Sequence, residues 1–139
     1  MARPPAPIGA ILDWPGTVLL VRLGLAAPFA VSGLSKLLDW PGAVAEAAAL
    51  GIGAPALVAG ATVATQLLGS ILLLTTRWCW QGAGILSVFT AIATLIAHAF
   101  WLDEGAERIH QMATFLEHVA IIAGFAGAAI LVNGAKFQR

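Results

Sequence analysis

The chain has 139 residues, of which 60% are hydrophobic and 10% are charged, and its formal net charge is zero. About a quarter of the residues in an ordinary soluble domain are charged, so this composition, with a mean hydropathy of +0.91, excludes that class and indicates a polytopic membrane protein. The scattered basic residues disfavour nucleic acid as a partner, and the single cysteine, Cys79, excludes an internal disulfide and a self-contained disulfide-forming enzyme linked to quinone.

Four apolar blocks are each long enough to cross a bilayer as a helix, which takes about 20 residues. They lie near Gly16–Leu38, Ala54–Thr76, Cys79–Trp101 and Met112–Val132. We therefore predict an all-α, integral membrane four-helix bundle over residues 16–134. Residues 1–15 are predicted to form an N-terminal arm and interfacial segment, extended over the proline-rich stretch Met1–Ile8, and residues 135–139 a C-terminal tail.

The segments between the blocks have distinct characters. Pro41–Gly53 is too short to span and is predicted to be an interfacial or re-entrant helix. Thr76–Trp78 is a tight turn, which makes the second and third spans antiparallel neighbours. Leu102–Gln111 is the most polar stretch and is expected to be a loop. The tetrapeptide Asp-Trp-Pro-Gly, at Asp13–Gly16 and Asp39–Gly42, is interpreted as local helix capping.

The basic residues predict the orientation of the chain in the membrane. Four spans place both termini on one side, together with the turn at Arg77. That side would carry Arg3, Arg77, Lys136 and Arg139, against Lys36 and Arg108 on the other side. Since cytoplasmic loops carry an excess of lysine and arginine, both termini are predicted to be cytoplasmic.

All five tryptophans lie at the ends of the apolar blocks, a position typical of the boundary between hydrocarbon and headgroups. They are predicted to be interfacial anchors: Trp14, Trp40, Trp78, Trp80 and Trp101. Trp40 and Trp101 would mark the outer face, and the other three the cytoplasmic face. Arg22 lies near the cytoplasmic face, and its long side chain is expected to reach the headgroups.

Five polar residues inside these boundaries are the candidate ligand- or quinone-binding residues: Lys36, Gln66, His98, Glu117 and His118. All but Gln66 lie at comparable depth, roughly 5–10 Å below the outer boundary at about 1.5 Å rise per residue. One interpretation is a polar pocket open to the outer leaflet, because imidazole and carboxylate groups can bind a quinone carbonyl and move its protons. The other interpretation is structural, with Lys36 and Glu117 as an ion pair and the histidines joining helix ends.

No cofactor follows from the residues alone, although they are compatible with quinone. Haem is not expected, since His98 and His118 at equal depth meet only one requirement for ligating it. Glu107 and His110 have the Glu-x-x-His spacing of carboxylate di-iron sites, but such sites need two of these motifs and further glutamates. No metal site is therefore predicted, and no catalytic residue is assigned.

Several motifs resemble the DoxX family of small four-helix membrane proteins. In the first span they are Arg22-Leu23-Gly24, Phe29 and Ser32–Leu37, and in the second Gln66–Gly69 followed by Ile71–Leu74. His98–Trp101 resembles the end of the family's third helix. Phe115–His118, with Ala120 and Gly124, resembles the fourth-helix motif, so the resemblance runs over about residues 18–131. Two positions depart from the family pattern. Gln66 replaces a commonly acidic residue, and Glu117-His118 replaces a Lys-Asn pair.

The resemblance implies a small accessory or membrane-anchor subunit of a redox or respiratory-type complex, in contact with quinone. Its partners would be lipid and other membrane protein subunits, and its location a bacterial-type cytoplasmic (inner) membrane. A non-catalytic subunit is favoured over a self-sufficient enzyme. The alternative is a stand-alone quinone-interacting oxidoreductase subunit that uses the outer-leaflet pocket. A small-solute carrier is disfavoured because no span shows a continuous polar stripe.

Overall fold

The computed structural model describes residues 4–137, with side chains through residue 134. Within that range the chain is helical, with no strand. The helices are α1 (Ala6–Asp13), α2 (Thr17–Leu38), α3 (Trp40–Ala49), α4 (Pro55–Leu74), α5 (Cys79–Ala97) and α6 (Gly105–Phe137), with a 3₁₀ turn at Phe100–Leu102 before α6. Arg3 and Arg139, and the side chain of Lys136, which enter the predicted charge bias, lie outside the described residues.

Four of these helices are long and apolar enough to cross a membrane, so the predicted number of spans is confirmed. Their outward faces are apolar as well. Val31 of α2, Leu57 of α4, Val88 of α5 and Ile130 of α6 are between 61% and 73% exposed. Large exposed apolar surface on every long helix is typical of a protein whose solvent is lipid.

The four long helices close into a ring, in which α2 packs on α4, α4 on α5, α5 on α6, and α6 on α2. The connection Thr75–Trp78 between α4 and α5 is short, so the prediction that they are antiparallel neighbours is confirmed. The helix predicted between the first two spans is α3, which lies against α2 and α4. Asp39 caps it, because its carboxylate accepts from the Gly42 N–H at 3.1 Å.

Large apolar side chains fill the centre of the ring, and two of the helices approach each other closely. Phe29 contacts Phe125 at 5.5 Å between ring centroids, which joins the neighbouring helices α2 and α6 inside the bundle. Between α4 and α5 the backbones approach so closely that a Cβ on Gly82 would lie 2.2 Å from the backbone nitrogen of Leu73. Glycine at this position therefore sets the spacing of α4 and α5.

Three predictions about the connections and ends are wrong. Residues Ala6–Ile8 are helical rather than extended, because proline is tolerated in the first turn of a helix, where its missing N–H needs no partner. Leu102–Gln111 is not a loop throughout, since α6 begins at Gly105, where the backbone has φ +59°. The first Asp-Trp-Pro-Gly does not cap α2, because Asp13 ends α1 and the α2 N-cap, Gly16, has no side-chain bond.

Candidate functional site

Two histidine rings meet between the end of α5 and the first half of α6. His98 is the C-cap of α5, where its N–H bonds the Thr94 carbonyl at 2.9 Å. Its imidazole lies 5.1 Å from that of His118, between ring centroids, with the planes tilted by 53°. Both side chains are half-buried. We call His98 and His118 the histidine pair.

A hydrogen-bonded chain leads from the histidine pair to the exposed start of α6. The Nδ1 of His98 lies 2.7 Å from Oε1 of Gln111, and Nε2 of Gln111 donates to Oε1 of Glu107 at 2.7 Å. Glu107 and Gln111 are four residues apart on a helix, so their side chains lie on the same face. This face of α6 points toward the end of α5.

A second chain leads from the histidine pair into the bundle. The Nδ1 of His118 lies 2.9 Å from Oγ1 of Thr94. Thr94 in turn donates to the Thr90 carbonyl at 2.6 Å, and Thr90 donates to the Leu86 carbonyl at 2.7 Å. Thr90 and Thr94 are both 3% exposed, so these hydroxyls are isolated from lipid and water. Each buried hydroxyl is satisfied by a carbonyl of its own helix.

Aromatic rings lie on the chain segments that carry the histidine pair. Phe100 and Trp101 follow His98 in the 3₁₀ turn, and Phe115 lies one turn before His118 on α6. Phe100 is 5.4 Å from Phe115 and 5.3 Å from Trp101 between centroids, in edge-to-face geometry. We call Phe100, Trp101 and Phe115 the aromatic cluster. Trp101 is 49% exposed, so the cluster presents part of its aromatic surface outside the bundle.

Lys36 does not pair with Glu117, so the predicted ion pair is wrong. Its ammonium forms a salt bridge and hydrogen bond with Glu46 of α3. The physical reason is the path of the chain, since α3 turns back against α2 and α4 and places Glu46 beside Lys36. The two residues line a cavity of about 40 Å³ with Ala43, Ala47 and Thr62 among others. The Glu117 side chain is exposed instead.

Gln66 also lies apart from the histidine pair. It is 6% exposed and donates from Nε2 to Oγ of Ser32 at 3.2 Å, between α4 and α2. Its Oε1 is buried without a hydrogen-bond partner among the described residues. Of the five candidate residues, the structure therefore brings together His98 and His118, and places Lys36 and Gln66 on the side of the ring formed by α2, α3 and α4.

Arg22 does not extend to the headgroups, contrary to the prediction. It is 5% exposed, and its guanidinium donates to the carbonyl of Leu74 at the C-terminal end of α4. A cation at that position is favoured because the last carbonyls of a helix are unpaired and carry partial negative charge. Arg22 thus ties α2 to the end of α4. The five tryptophans, by contrast, are all exposed, as interfacial anchors need to be.

The sequence pattern singles out neither Gln111 nor Thr94, yet both hold the histidine pair. The signal that could have found them is helical spacing. Thr90, Thr94 and His98 recur every fourth residue along α5, and Glu107, Gln111 and Phe115 do so along α6. The assignment of Leu102–Gln111 to a loop concealed the second series.

The four long apolar helices surround a buried core, and their polar groups lie at the helix ends and inside the bundle. These features define a polytopic α-helical membrane protein. Within that class, the DoxX family model matches residues 17–99, well over half of the chain, and the protein belongs to the DoxX family. The matched range runs from the start of α2 to Ala99, so it includes His98, whereas Glu117 and His118 of α6 lie beyond it. Comparison with curated proteins and with solved structures found no match.

Proposed function

We propose that this protein is a small membrane subunit of a redox complex and that it contacts a quinone-type redox lipid at the histidine pair. The observation that carries the proposal is the contact of two half-buried imidazoles, 5.1 Å apart, on chain segments that also carry an aromatic cluster. Imidazole nitrogens bind oxygens and exchange protons near neutral pH. Aromatic rings favour a flat ring beside them, in stacked or edge-to-face contact.

The depth of the site also suits a lipid-soluble ring with polar oxygens. Helix α6 has 33 residues, or about 50 Å at 1.5 Å per residue, which exceeds the roughly 30 Å thickness of the hydrocarbon core. Its first turns, with Glu107, therefore suit the headgroup region, and the histidine pair would lie just below it. A quinone head at that depth keeps its oxygens near polar groups and its tail in hydrocarbon.

A subunit role is favoured over a self-sufficient enzyme because electron transfer needs a second redox group. The chain has a single cysteine, which cannot by itself cycle between dithiol and disulfide. In the proposed complex, a partner protein would supply that group, and this chain would hold the lipid-soluble carrier and anchor the partner in the membrane.

We further propose that both termini are cytoplasmic, so that the histidine pair faces the outer side of an inner membrane. Arg77, at the opposite end of the bundle, supports this through the excess of basic residues in cytoplasmic loops. The measurement is the activity of reporter domains fused after residue 139 and inserted in the connection at residue 103. A cytoplasmic reporter active only at the C-terminus is expected, and the reverse pattern would refute the orientation.

The experiment that tests the function is purification in mild detergent, followed by identification of co-eluting proteins and extraction of bound lipid. Wild type should retain a membrane partner and quinone-type lipid. His98→Ala and His118→Ala should lose most of the quinone while keeping their folding yield. The matched control is His110→Ala, because His110 is an exposed histidine on α6, the helix that also carries His118.

The outcomes separate the alternatives. Quinone retention without any partner would favour the stand-alone quinone-interacting oxidoreductase subunit. A lone protein whose extracted lipid contains neither quinone nor quinol would refute both redox functions. Equal loss of quinone and of folding yield in the two variants would favour a purely structural histidine pair.

A further inference from the structure

We infer that the histidine pair binds its redox lipid through the hydroxyl groups of the reduced, quinol form rather than through the carbonyls of the quinone. The inference rests on the proposed function and adds to it the redox form that the site takes. It follows from which nitrogen of each imidazole carries the hydrogen, and the hydrogen bonds around the pair decide that.

The two hydrogen-bond partners of Gln111 determine the orientation of its amide. One end of this amide lies 2.7 Å from a carboxylate oxygen of Glu107. A carboxylate only accepts, so the amide nitrogen must face it, and a flipped amide would place two oxygens in contact without a hydrogen between them. The carbonyl oxygen of Gln111 is therefore the atom that faces His98 at 2.7 Å.

This orientation determines the tautomer of His98. An amide oxygen only accepts, so Nδ1 of His98 must carry the hydrogen and donate it. In a neutral imidazole the other nitrogen is then an acceptor. Nε2 of His98 consequently presents a lone pair, and no other described residue hydrogen-bonds it.

The Thr94 hydroxyl determines the tautomer of His118 in the same way. Its oxygen lies 2.6 Å from the Thr90 carbonyl, a distance at which two oxygens repel unless a hydrogen lies between them. The single hydroxyl hydrogen is thus used on that carbonyl. Oγ1 of Thr94 must then accept from Nδ1 of His118, at 2.9 Å, and Nε2 of His118 is left as an acceptor.

Both imidazoles of the pair therefore offer acceptors to a ligand. A quinone carbonyl also only accepts, and it would meet a lone pair without a hydrogen. A quinol hydroxyl donates, so it completes a hydrogen bond to Nε2. Gln111 and Thr94 act here as positioning residues, since they touch the histidines and not the ligand.

The tautomers can be measured without any ligand, from the imidazole ¹⁵N chemical shifts of labelled protein at mildly alkaline pH. Both rings of the pair should carry hydrogen on Nδ1. Gln111→Leu should release only His98 to the Nε2–H form, and Thr94→Val only His118. His110, which is outside the network, is the internal reference. Nε2–H on both rings of the wild-type pair would overturn the inference.

Binding supplies the second measurement, with a short-chain benzoquinone and its hydroquinone as probes under anaerobic conditions. The wild type should bind the hydroquinone about tenfold more tightly, the effect of one hydrogen bond made rather than missed. Gln111→Leu should reduce this preference, and His110→Ala should preserve it. Equal or stronger binding of the benzoquinone would overturn the inference and leave the proposed function intact. Binding of neither probe would overturn both.

Discussion

His98 and His118 contact each other at 5.1 Å between ring centroids although they belong to different helices, and each is held at Nδ1 by a different neighbour. Gln111 holds the first ring from the N-terminal part of α6. Thr94 holds the second from within the bundle. The pair therefore joins a surface chain of polar groups to a buried one, at the α5–α6 interface.

A double-mutant cycle should detect this ring contact. His98→Ala and His118→Ala are each expected to lower the free energy of unfolding in detergent. The double variant should lose less than the sum, by about 0.5–1.5 kcal/mol, because contacting rings share one interaction. Thermal or denaturant unfolding of the four proteins measures the coupling. Strict additivity would contradict the contact, and His110→Ala combined with His98→Ala serves as the additive control.

The ion pair of Lys36 should follow Glu46 rather than Glu117. Lys36→Glu is expected to lower stability at low salt, and a second change, Glu46→Lys, should restore it by re-forming the pair in reverse. The coupling should be about 0.2–1 kcal/mol and should fall with added salt, because Glu46 is largely exposed. The matched control is Lys36→Glu with Glu117→Lys. Rescue by that control would contradict the Lys36–Glu46 pair and support the pairing of Lys36 with Glu117.

Gly82 should tolerate no side chain. A Cβ there would lie 2.2 Å from the Leu73 nitrogen and 2.7 Å from the Gly69 oxygen, and neither backbone atom can move aside without separating α4 from α5. Gly82→Ala is therefore expected to lower stability by about 1–3 kcal/mol or more. Gly84→Ala is the control, since nothing lies within 4 Å of its Cβ position. Unfolding of the purified variants should separate the two, and equal stability would contradict the α4–α5 spacing.

Ser32 and Gln66 should respond unequally to removal of their shared hydrogen bond. Ser32→Ala leaves a buried amide without its acceptor and should lower stability by about 1–3 kcal/mol. Gln66→Leu should be milder, because a serine hydroxyl can bond a carbonyl of its own helix and the change also removes the unpaired Oε1. Unfolding measurements that reverse this order would contradict the assignment of Gln66 to the α2–α4 interface.

The predictions from sequence that hold concern local properties. Four spans can be read because a bilayer demands about 20 apolar residues in a row, and α3 because its length falls short of that. The wrong predictions concern the ends of helices and the partners of side chains. The polar stretch before Met112 has the composition of a loop, yet it folds as the first turns of α6, because charged residues are compatible with a helix that projects beyond the hydrocarbon.

The same distinction applies to the candidate site, because the sequence predicts the depth of its residues but not their partners. Sequence placed His98, His118, Lys36 and Glu117 at one depth, since depth depends only on position along a span. It could not assign partners, because two groups at equal depth meet only if their helices are neighbours and are rotated toward each other. Glu117 adjoins His118 in sequence, yet its exposed side chain takes a different direction from that of its neighbour.

By itself, the sequence determined the class of protein, the number of spans, the family and the end of the bundle where polar groups gather, because hydropathy and length act along the chain. Only the tertiary structure decided that Lys36 meets Glu46, that Arg22 caps α4, and that Gln111 and Thr94 orient the histidine pair. Those contacts depend on the order of helices around the ring and on the rotation of each about its axis. Both are set by packing between segments that are distant in the chain.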